Sequence, residues 1–313
     1  MNNDKTPLVS FVLPAYKGKW LKRAIDSILA QTYTTIELVI VNDVSPDDLD
    51  SIVRSYDDVR IRYYKNKENL GGKSLIAQWE YCVSLAHGEY LVMAADDDIY
   101  HPLFAERCFE LIQRYPECDL VRARVAQIDE AGKLLGVDHT FPEFISQIEY
   151  AYRYREGSAF ICMGNFFFKT ETLRRKGFVD FPCALCSDIA TSIEMAENGM
   201  LNTDEMLFYF RQSTVHLSGS TARNKEKIEA ITRFFDWMST YKFKTPKNEY
   251  EQYYLSHMQT RDWHEKCVYD YFNQVIRTVS LSQLPVFFSL AVRATVREKI
   301  MMMLRWLRRR LLN

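Results

Sequence analysis

Over its first hundred residues the chain alternates between short apolar runs and stretches in which apolar residues recur at helical spacing. Leu8 to Leu13 is rich in β-formers and stops at Pro14, which predicts a buried strand. Leu21, Ala24, Ile25, Ile28 and Leu29 then mark one face of a helix. Glu37 to Val41 reads as a second buried strand ending at Asn42-Asp43, with Ser45 and Pro46 as the N-cap and first position of a short helix reaching about Tyr56. Arg60 to Tyr64 alternates as a third strand. Asn69 to Gly72 is expected as a loop, and Leu75 to Ala86 as a helix closed by Gly88. Tyr90 to Ala95 is a fourth apolar strand that runs straight into Asp96-Asp97-Asp98. Strands alternating with helices predict βαβ units and a mostly parallel sheet, whose ligands bind beyond the carboxyl ends of the strands. Tyr16, Asp43 and Asp96 to Asp98 all fall at such ends. Further along, Leu120 to Ala126 and Leu134 to Val137 flank Asp129-Glu130-Ala131-Gly132 as a hairpin, and from about Asn224 the pattern is helical, joined at Thr245-Pro246 and Leu284-Pro285.

Composition narrows this picture. With 313 residues, 47% of them hydrophobic and 26% charged, the chain can bury a sizeable core. A net charge of −1 gives no electrostatic footprint for nucleic acid. The charge is unevenly placed: from Arg293 to Arg310 seven basic residues and one acid give net +6, so the rest of the chain carries −7. In that basic segment Val296, Ile300, Met303, Leu304, Leu307 and Leu311 recur at helical spacing, as in a helix that lies on an anionic membrane surface or packs against protein. The seven cysteines lack framework spacing, which fits reduced thiols, and the Cys183-x-x-Cys186 pair has no second pair at zinc spacing. No apolar segment near the N-terminus reads as a signal peptide and no run is long enough to cross a bilayer, so a cytoplasmic protein, peripheral at most on the inner face of the plasma membrane, is expected.

Three consecutive aspartates at a strand end are the sharpest chemical feature. Hard divalent cations take oxygen ligands, and Mg sites combine one or two carboxylates with phosphate oxygens. A run of like charge at a sheet's ligand edge is costly without a cation.

Several ordered segments together resemble the family 2 glycosyltransferases of the GT-A fold: Val9 to Tyr16, Ala24 to Tyr33, Glu37 to Ser45, Asn69-Leu70-Gly71, Gly88 to Leu91, and Ala95 to Pro102. The likeness is dense from about residue 8 to 136, thinner to about 220 and absent beyond. It implies an α/β, Rossmann-like mostly parallel sheet flanked by helices in residues 1–220; beyond it the residue pattern itself marks 221–313 as a helical C-terminal region ending in a basic amphipathic helix. It implies an inverting, metal-dependent transferase that moves a sugar from a nucleotide-diphosphate sugar to an acceptor hydroxyl. A UDP-sugar donor, a divalent cofactor (Mn or Mg) and a lipid-linked glycan acceptor in bacterial surface-polysaccharide assembly belong to the same expectation. Pro14, Ala15, Tyr16, Asp43, Asn69 and Asp96 would then line the nucleotide, with Asp43 accepting from a ring N–H of the base; as a bare turn residue Asp43 is equally at home before Ser45. Lys73, in Gly-Gly-Lys-Ser, could reach phosphate, although P-loop spacing is missing.

The family's usual Asp-x-Asp would place its first aspartate at Ala95, so which pair of Asp96, Asp97 and Asp98 binds metal stays open; Asp97 and Asp98 are the candidate ligands, with His216. Ser187 to Gly199 is similar to the family's Glu-Asp segment, with Ser187 in place of the glutamate and Asp188 retained as candidate general base. Without the resemblance Asp188 would read as complement to a helix dipole. Arg211 and His216 fall where the family often places a basic loop near the diphosphate. His216 reads as ligand, acceptor-loop residue or structural histidine. A nucleotidyltransferase and a non-catalytic nucleotide-sugar-binding protein are the alternatives. The first would need a glycine-rich basic loop where Pro14 to Gly18 stands, and the second sits poorly with retained Asp97 and Asp188.

Overall fold

In the computed structural model residues 6–213 and 221–312 are described. The described residues of Met1–Phe178 and Thr191–Ser213 form one compact unit, and those of Val179–Ala190 and Thr214–Asn313 another.

The first unit begins with β1 (Val9–Ala15), α1 (Leu21–Leu29), β2 (Ile36–Asn42), α2 (Leu49–Arg54), β3 (Ile61–Lys65), the single helical turn α3 (Leu70–Lys73), α4 (Leu75–Leu85) and β4 (Tyr90–Met93). β1 and β2 are apolar because both faces are covered: every residue of β2, and all but Pro14 in β1, is buried. The chain continues through β5 (Ile99–Tyr100), α5 (Phe104–Arg114), β6 (Leu120–Ile128), β7 (Leu134–Val137), β8 (Phe144–Ile145), α6 (Gln147–Arg155), β9 (Phe166–Lys169), α7 (Thr170–Lys176), α8 (Ser187–Met195) and β10 (Met200–Arg211). One sheet of ten strands results among the described residues, in the order β3-β2-β1-β4-β9-β6-β10-β5, with β7 added beside β6 and β8 beside β10. β1 pairs in parallel with β2 and β4, and β2 with β3, so their carboxyl ends lie along one edge. The antiparallel β9 joins this parallel half to β6, which pairs in parallel with β10. The expected hairpin is present as the antiparallel β6–β7 pair.

Four local expectations are corrected. Ser45 does not cap α2; Asp48 does, accepting from the Ser51 N–H at 3.0 Å, while the Ser45 hydroxyl donates to the Tyr16 carbonyl and accepts from the Asp47 N–H at 3.0 Å in the turn before the helix. Asn69 to Gly72 is the start of a helical turn, because the Asn69 side chain accepts from Gly72 N–H and closes it. Gly88 does not cap α4, which ends at Leu85; a Cβ there would lie 2.6 Å from the Leu8 carbonyl oxygen, so the glycine lets the chain enter β4 pressed against β1. Pro285 opens a helix rather than linking two, as the missing N–H costs nothing in a first turn.

The second unit contains α9 (Asn224–Thr240), α10 (Glu249–Ser256), α11 (Thr260–Asp270), α12 (Leu284–Leu290) and α13 (Val296–Leu312). α9 buries Ile228, Ile231, Phe234, Phe235 and Met238, with Phe235 against Trp263 of α11. α8 starts in this unit and ends in the first.

Beside β6 lies a buried ion pair. Arg122 and Asp138 have side chains about 1% exposed, the guanidinium also donates to the Phe160 carbonyl at 3.1 Å, and Asp138 accepts from the N–H groups of His139 and Phe160. Removing one partner strands the other charge away from water. Asp138→Ala is expected to lower the unfolding free energy by about 3–5 kcal/mol in chemical denaturation, the scale for orphaning a buried charge; a loss below about 1 kcal/mol would show that the site rehydrates.

Candidate active site

The site is built where β1, β2 and β4 end. After β4 the chain turns so that Asp96, Asp97 and Asp98 are all buried, at 5%, 3% and 4% exposure. Three adjacent carboxylates taken out of water require compensation, and each has its own source. Asp96 Oδ2 accepts from two backbone N–H groups at the end of β1, Tyr16 at 2.8 Å and Lys17 at 2.7 Å. The Lys17 ammonium is hydrogen-bonded to Asp97 and lies 3.3 Å from Asp96 Oδ1. Asp98 Oδ1 accepts from the Arg211 N–H at 2.8 Å, at the last residue of β10. The Arg211 guanidinium donates to the carbonyls of Asp97 at 2.8 Å, Asp129 at 2.9 Å and Glu130 at 3.1 Å, and lies over the Trp20 ring.

The electrostatics follow from burial and proximity. Burial pushes the Asp96 carboxyl above its usual range against the pull of Lys17, and burial with the Asp97 charge beside it pushes Asp98 well above. For Lys17, burial favours the neutral amine, but Asp96 and Asp97 together outweigh it and raise the pKa, so the side chain stays a cation. Asp98 is thus a brace between β4 and β10, while Asp96 and Asp97 direct oxygens at one shared cationic point.

The β2 end is tied to the same place. The Asp43 N–H donates to the Ala15 carbonyl at 3.0 Å, Ser45 donates to the Tyr16 carbonyl at 2.5 Å, and the Asn42 side chain accepts from the Ser45 N–H at 2.9 Å. The Asp43 carboxylate accepts from Asn66 at 2.6 Å and from the N–H groups of Leu70 and Gly71, both at 2.8 Å. A side chain at residue 71 would put its Cβ 2.9 Å from Asp43 Oδ2, so glycine is needed for this approach. Asp43 therefore anchors the Asn66–Gly72 segment. Tyr16 is 45% exposed at this edge, Ala15 is buried and Pro14 half-buried.

The structure thus gathers Pro14, Ala15, Tyr16, Asp43, Asn69, Asp96, Asp97 and Asp98 in one hydrogen-bonded region of the first unit. Lys73 is directed elsewhere: its exposed ammonium pairs with Glu68 at 2.6 Å. His216 lies outside the described residues. Among the described residues no group of three or more His, Cys, Asp or Glu side chains is arranged to hold a metal. Lys17 and the wedging role of Arg211 were missed by sequence reasoning. The available signal was charge balance, since a buried Asp-Asp-Asp needs cations and Lys17 directly follows Tyr16.

Asp188 belongs to the second unit. It stands in the first turn of α8 and accepts from the Ile189 N–H at 2.9 Å. The chain enters this helix through a strained segment, with Cys183, Ala184 and Cys186 at φ of 51°, 54° and 68°, and Ser187 accepts from the Phe181 N–H at 3.2 Å. Asp188 is half-buried, and desolvation pushes its carboxyl up to about 6 despite the N–H bonds that favour the charge. The CxxC thiols are both raised by burial, the opposite of a reactive pair.

The glycosyl transferase family 2 profile matches residues 10–175, more than half of the chain. The chain belongs to glycosyl transferase family 2. It is 37% identical over 120 residues to an uncharacterised glycosyltransferase of Rickettsia typhi, covering 38% of this chain and 36% of that protein. It is 32% identical over 127 residues to the glycosyltransferase GlyG of Streptococcus pneumoniae, covering 40% and 41%. The chain thus matches well under two thirds of the length of either relative. Its fold resembles residues 1–349 of TarS from Staphylococcus aureus, solved with UDP-GlcNAc, at TM-score 0.69 and 15% identity over 90% of this chain and 79% of that one. A mannosyltransferase of Pyrobaculum calidifontis, solved with GDP-Man and Mn2+, superposes at TM-score 0.55 and 16% identity over 96% and 84%.

The raised Asp188 carboxyl makes a stability prediction with a definite sign. Below about pH 3 the group is protonated both folded and unfolded and has no effect. As pH rises towards about 6 the unfolded chain ionises first, so folding stability is lost across that window. Asp188→Asn removes this cost and keeps an acceptor for the Ile189 N–H. It is expected to stabilise the protein at pH 7 by on the order of 1–3 kcal/mol, with no gain at about pH 3. Denaturant melts at the two pH values read this out; equal effects at both would place an ordinary, solvated carboxylate there.

Proposed function

We propose that this protein is an inverting glycosyltransferase that moves a sugar from a nucleotide-diphosphate sugar, a UDP-sugar, onto an acceptor hydroxyl. The observation that carries the reading is the edge where Asp96 and Asp97 converge on one cationic point beside the Tyr16 ring and the Asp43 anchor, in a member of this family. Asp43 offers about four acceptor positions; three donors hold it, which leaves room for the ring N–H of uracil. The exposed Tyr16 ring supplies a face for the base.

The donor set fits a divalent cation. Asp97, with Asp96 Oδ1, would hold Mg or Mn, since one or two carboxylates plus phosphate oxygens make the usual set and the Lys17 ammonium already marks the point as cationic. When bound, the ion offsets the charge that grows on the departing diphosphate. Asp188 takes the proton of the acceptor hydroxyl as its oxygen attacks the anomeric carbon and the nucleoside diphosphate leaves from the opposite face. A diphosphate leaves without an acid, so one base suffices where glycosidases need two carboxyls. A carboxyl at about 6 is ionised at neutral pH yet more basic than an exposed aspartate, which suits that role.

Transfer of radiolabelled sugar from a panel of UDP- and GDP-sugars, with Mn present and absent, tests this reading. Asp188→Asn is expected to lower kcat by at least ~10²-fold with donor Kd nearly unchanged, and wild-type kcat to fall as pH drops through about 6. Asp97→Asn is expected to weaken donor binding in Mn and to change little in EDTA. Wild-type turnover by a folded Asp188→Asn protein would remove Asp188 as the base, and no turnover or hydrolysis with any donor would remove the transferase reading.

The acceptor is a lipid-linked glycan, reached at an anionic membrane surface. What supports this is α13, which has two apolar faces. Met302 and Trp306 are buried, with the Trp306 indole donating to the Val279 carbonyl at 3.0 Å. Val296, Ile300, Met303, Leu304, Leu307 and Leu311 form a separate stripe that is exposed. By helical angle, Arg297 and Arg308 flank that stripe on one side and Lys299 on the other, while the Arg310 guanidinium turns back over the Trp306 ring. No helix among the described residues is long and apolar enough to cross a membrane; this one is arranged to lie in an interface, where each basic residue contributes roughly 1 kcal/mol. Full-length protein is expected to co-sediment with vesicles containing anionic lipid, less so in high salt. A triple variant, Ile300→Ser, Leu304→Ser and Leu307→Ser, is expected to lose at least ~10-fold in partitioning, given about 25 cal/mol per Å² of apolar surface withdrawn from water. Undiminished sedimentation by that variant would leave α13 a packing element.

A further inference from the structure

Lys17 does more than neutralise its neighbours. Its backbone N–H is fixed on Asp96 Oδ2 at 2.7 Å, while its ammonium reaches back to Asp97 Oδ2 and lies 3.3 Å from Asp96 Oδ1. The oxygens turned toward the ammonium are the same ones a divalent ion would use. The third carboxylate is turned to a different partner: Asp98 Oδ1 accepts from the Arg211 N–H at 2.8 Å, at the end of β10. A metal within about 2.1 Å of the Asp97 oxygen cannot share it with an ammonium already in contact, since two cations so close repel strongly in a site of low dielectric.

We propose that Lys17 is the resident counter-cation of the Asp96–Asp97 pair, and that Mg or Mn gains these carboxylates only by displacing the Lys17 ammonium. The side chain is built for that exchange. Its backbone stays anchored on Asp96, its four-carbon stem is flexible, and 28% of the side chain is open to solvent, which gives the ammonium a way out. With no donor bound, the ammonium keeps the acids compensated and metal binding weak. Once a nucleoside diphosphate supplies fresh anionic oxygens, the displaced ammonium has a new partner, and metal and donor strengthen each other's binding. The inference rests on reading this edge as the donor site.

The test is a titration of Mn2+ into donor-free, full-length protein, read by the electron paramagnetic resonance of free Mn2+, for wild type, Lys17→Met, Lys17→Gln and Lys17→Arg. Lys17→Met and Lys17→Gln are expected to bind Mn2+ at least ~10-fold more tightly than wild type, the scale on which one adjacent charge moves an ionic equilibrium. Lys17→Arg, which keeps the cation, is expected to stay as weak as wild type. Saturating UDP is expected to shrink the gap by tightening wild type. Circular dichroism and melting curves establish that each variant is folded; with two neutral variants, loss of one does not end the comparison. Equal or weaker Mn2+ binding by a folded neutral variant overturns the proposal, as does absence of Mn2+ binding in every protein. Failure of all nucleotide sugars to bind the wild type, with or without Mn2+, would instead overturn the transferase reading, and the donor-free titration would still report on Lys17.

Discussion

The ordering constraint in this molecule is the compensation of three consecutive buried carboxylates. Asp96, Asp97 and Asp98 leave β4 with no water to solvate them. Ionised groups in such a place must find donors or give up their charge. The donors come from far along the chain: Tyr16 and Lys17 lie about eighty residues earlier, and Arg211 over a hundred later. Satisfying the acids therefore fixes the end of β1 against β4 and the end of β10 against both. Through Arg211 it also ties down the β6–β7 turn, whose Asp129 and Glu130 carbonyls take the guanidinium.

A second consequence is a division of roles among acids that look interchangeable in sequence. Asp98 is held in place by one backbone N–H and pushed towards its neutral form, so it braces. Asp96 spends one oxygen on two backbone donors and turns the other towards Lys17; Asp97 meets the same ammonium. Asp43 is a fourth carboxylate at the edge with a different task, gathering Asn66, Leu70 and Gly71 so that the segment after β3 closes on the strand ends. Their local environments, not residue type, separate scaffolding from chemistry.

That distinction also marks what was legible beforehand. β1, β2, β4 and α1 were readable because buried parallel strands and one-sided helices leave strong local patterns. The gathering of Tyr16, Asp43 and the Asp96 to Asp98 run at one edge followed from those strands alone. Capping was less legible: Ser45-Pro46 carries a good start signal, but Ser45 closes a turn on the Asp47 N–H and the Tyr16 carbonyl, and Asp48 caps the helix three residues later. Gly88 looked like a helix stop, whereas its reason is the close passage of β1. Lys17 escaped, and Arg211 was placed near the diphosphate without its contacts to Asp97 and Asp98, because those partners are remote in sequence, where no periodicity reaches. The antiparallel β9 that joins the two parallel parts of the sheet was not foreseen, since Phe166 to Lys169 is too short and too uniformly apolar to declare a direction.

The same limit appears in α13, with the opposite outcome. A helical wheel shows one apolar stripe there and invites the inference that this stripe is the buried one. Docking uses Met302 and Trp306 instead, a narrower pair on a different face, and fastens it with the indole N–H on Val279. The broader stripe is left in water. For a helix that only packs within its own unit, this is the unfavourable way round, since turning it would bury six apolar side chains in place of two. Trp306 explains why the helix does not turn: its N–H would lose a buried acceptor, and the ring its pocket. A tryptophan that fixes the rotation of the helix thus leaves its larger apolar face outward, with Arg297 and Arg308 on one flank and Lys299 on the other.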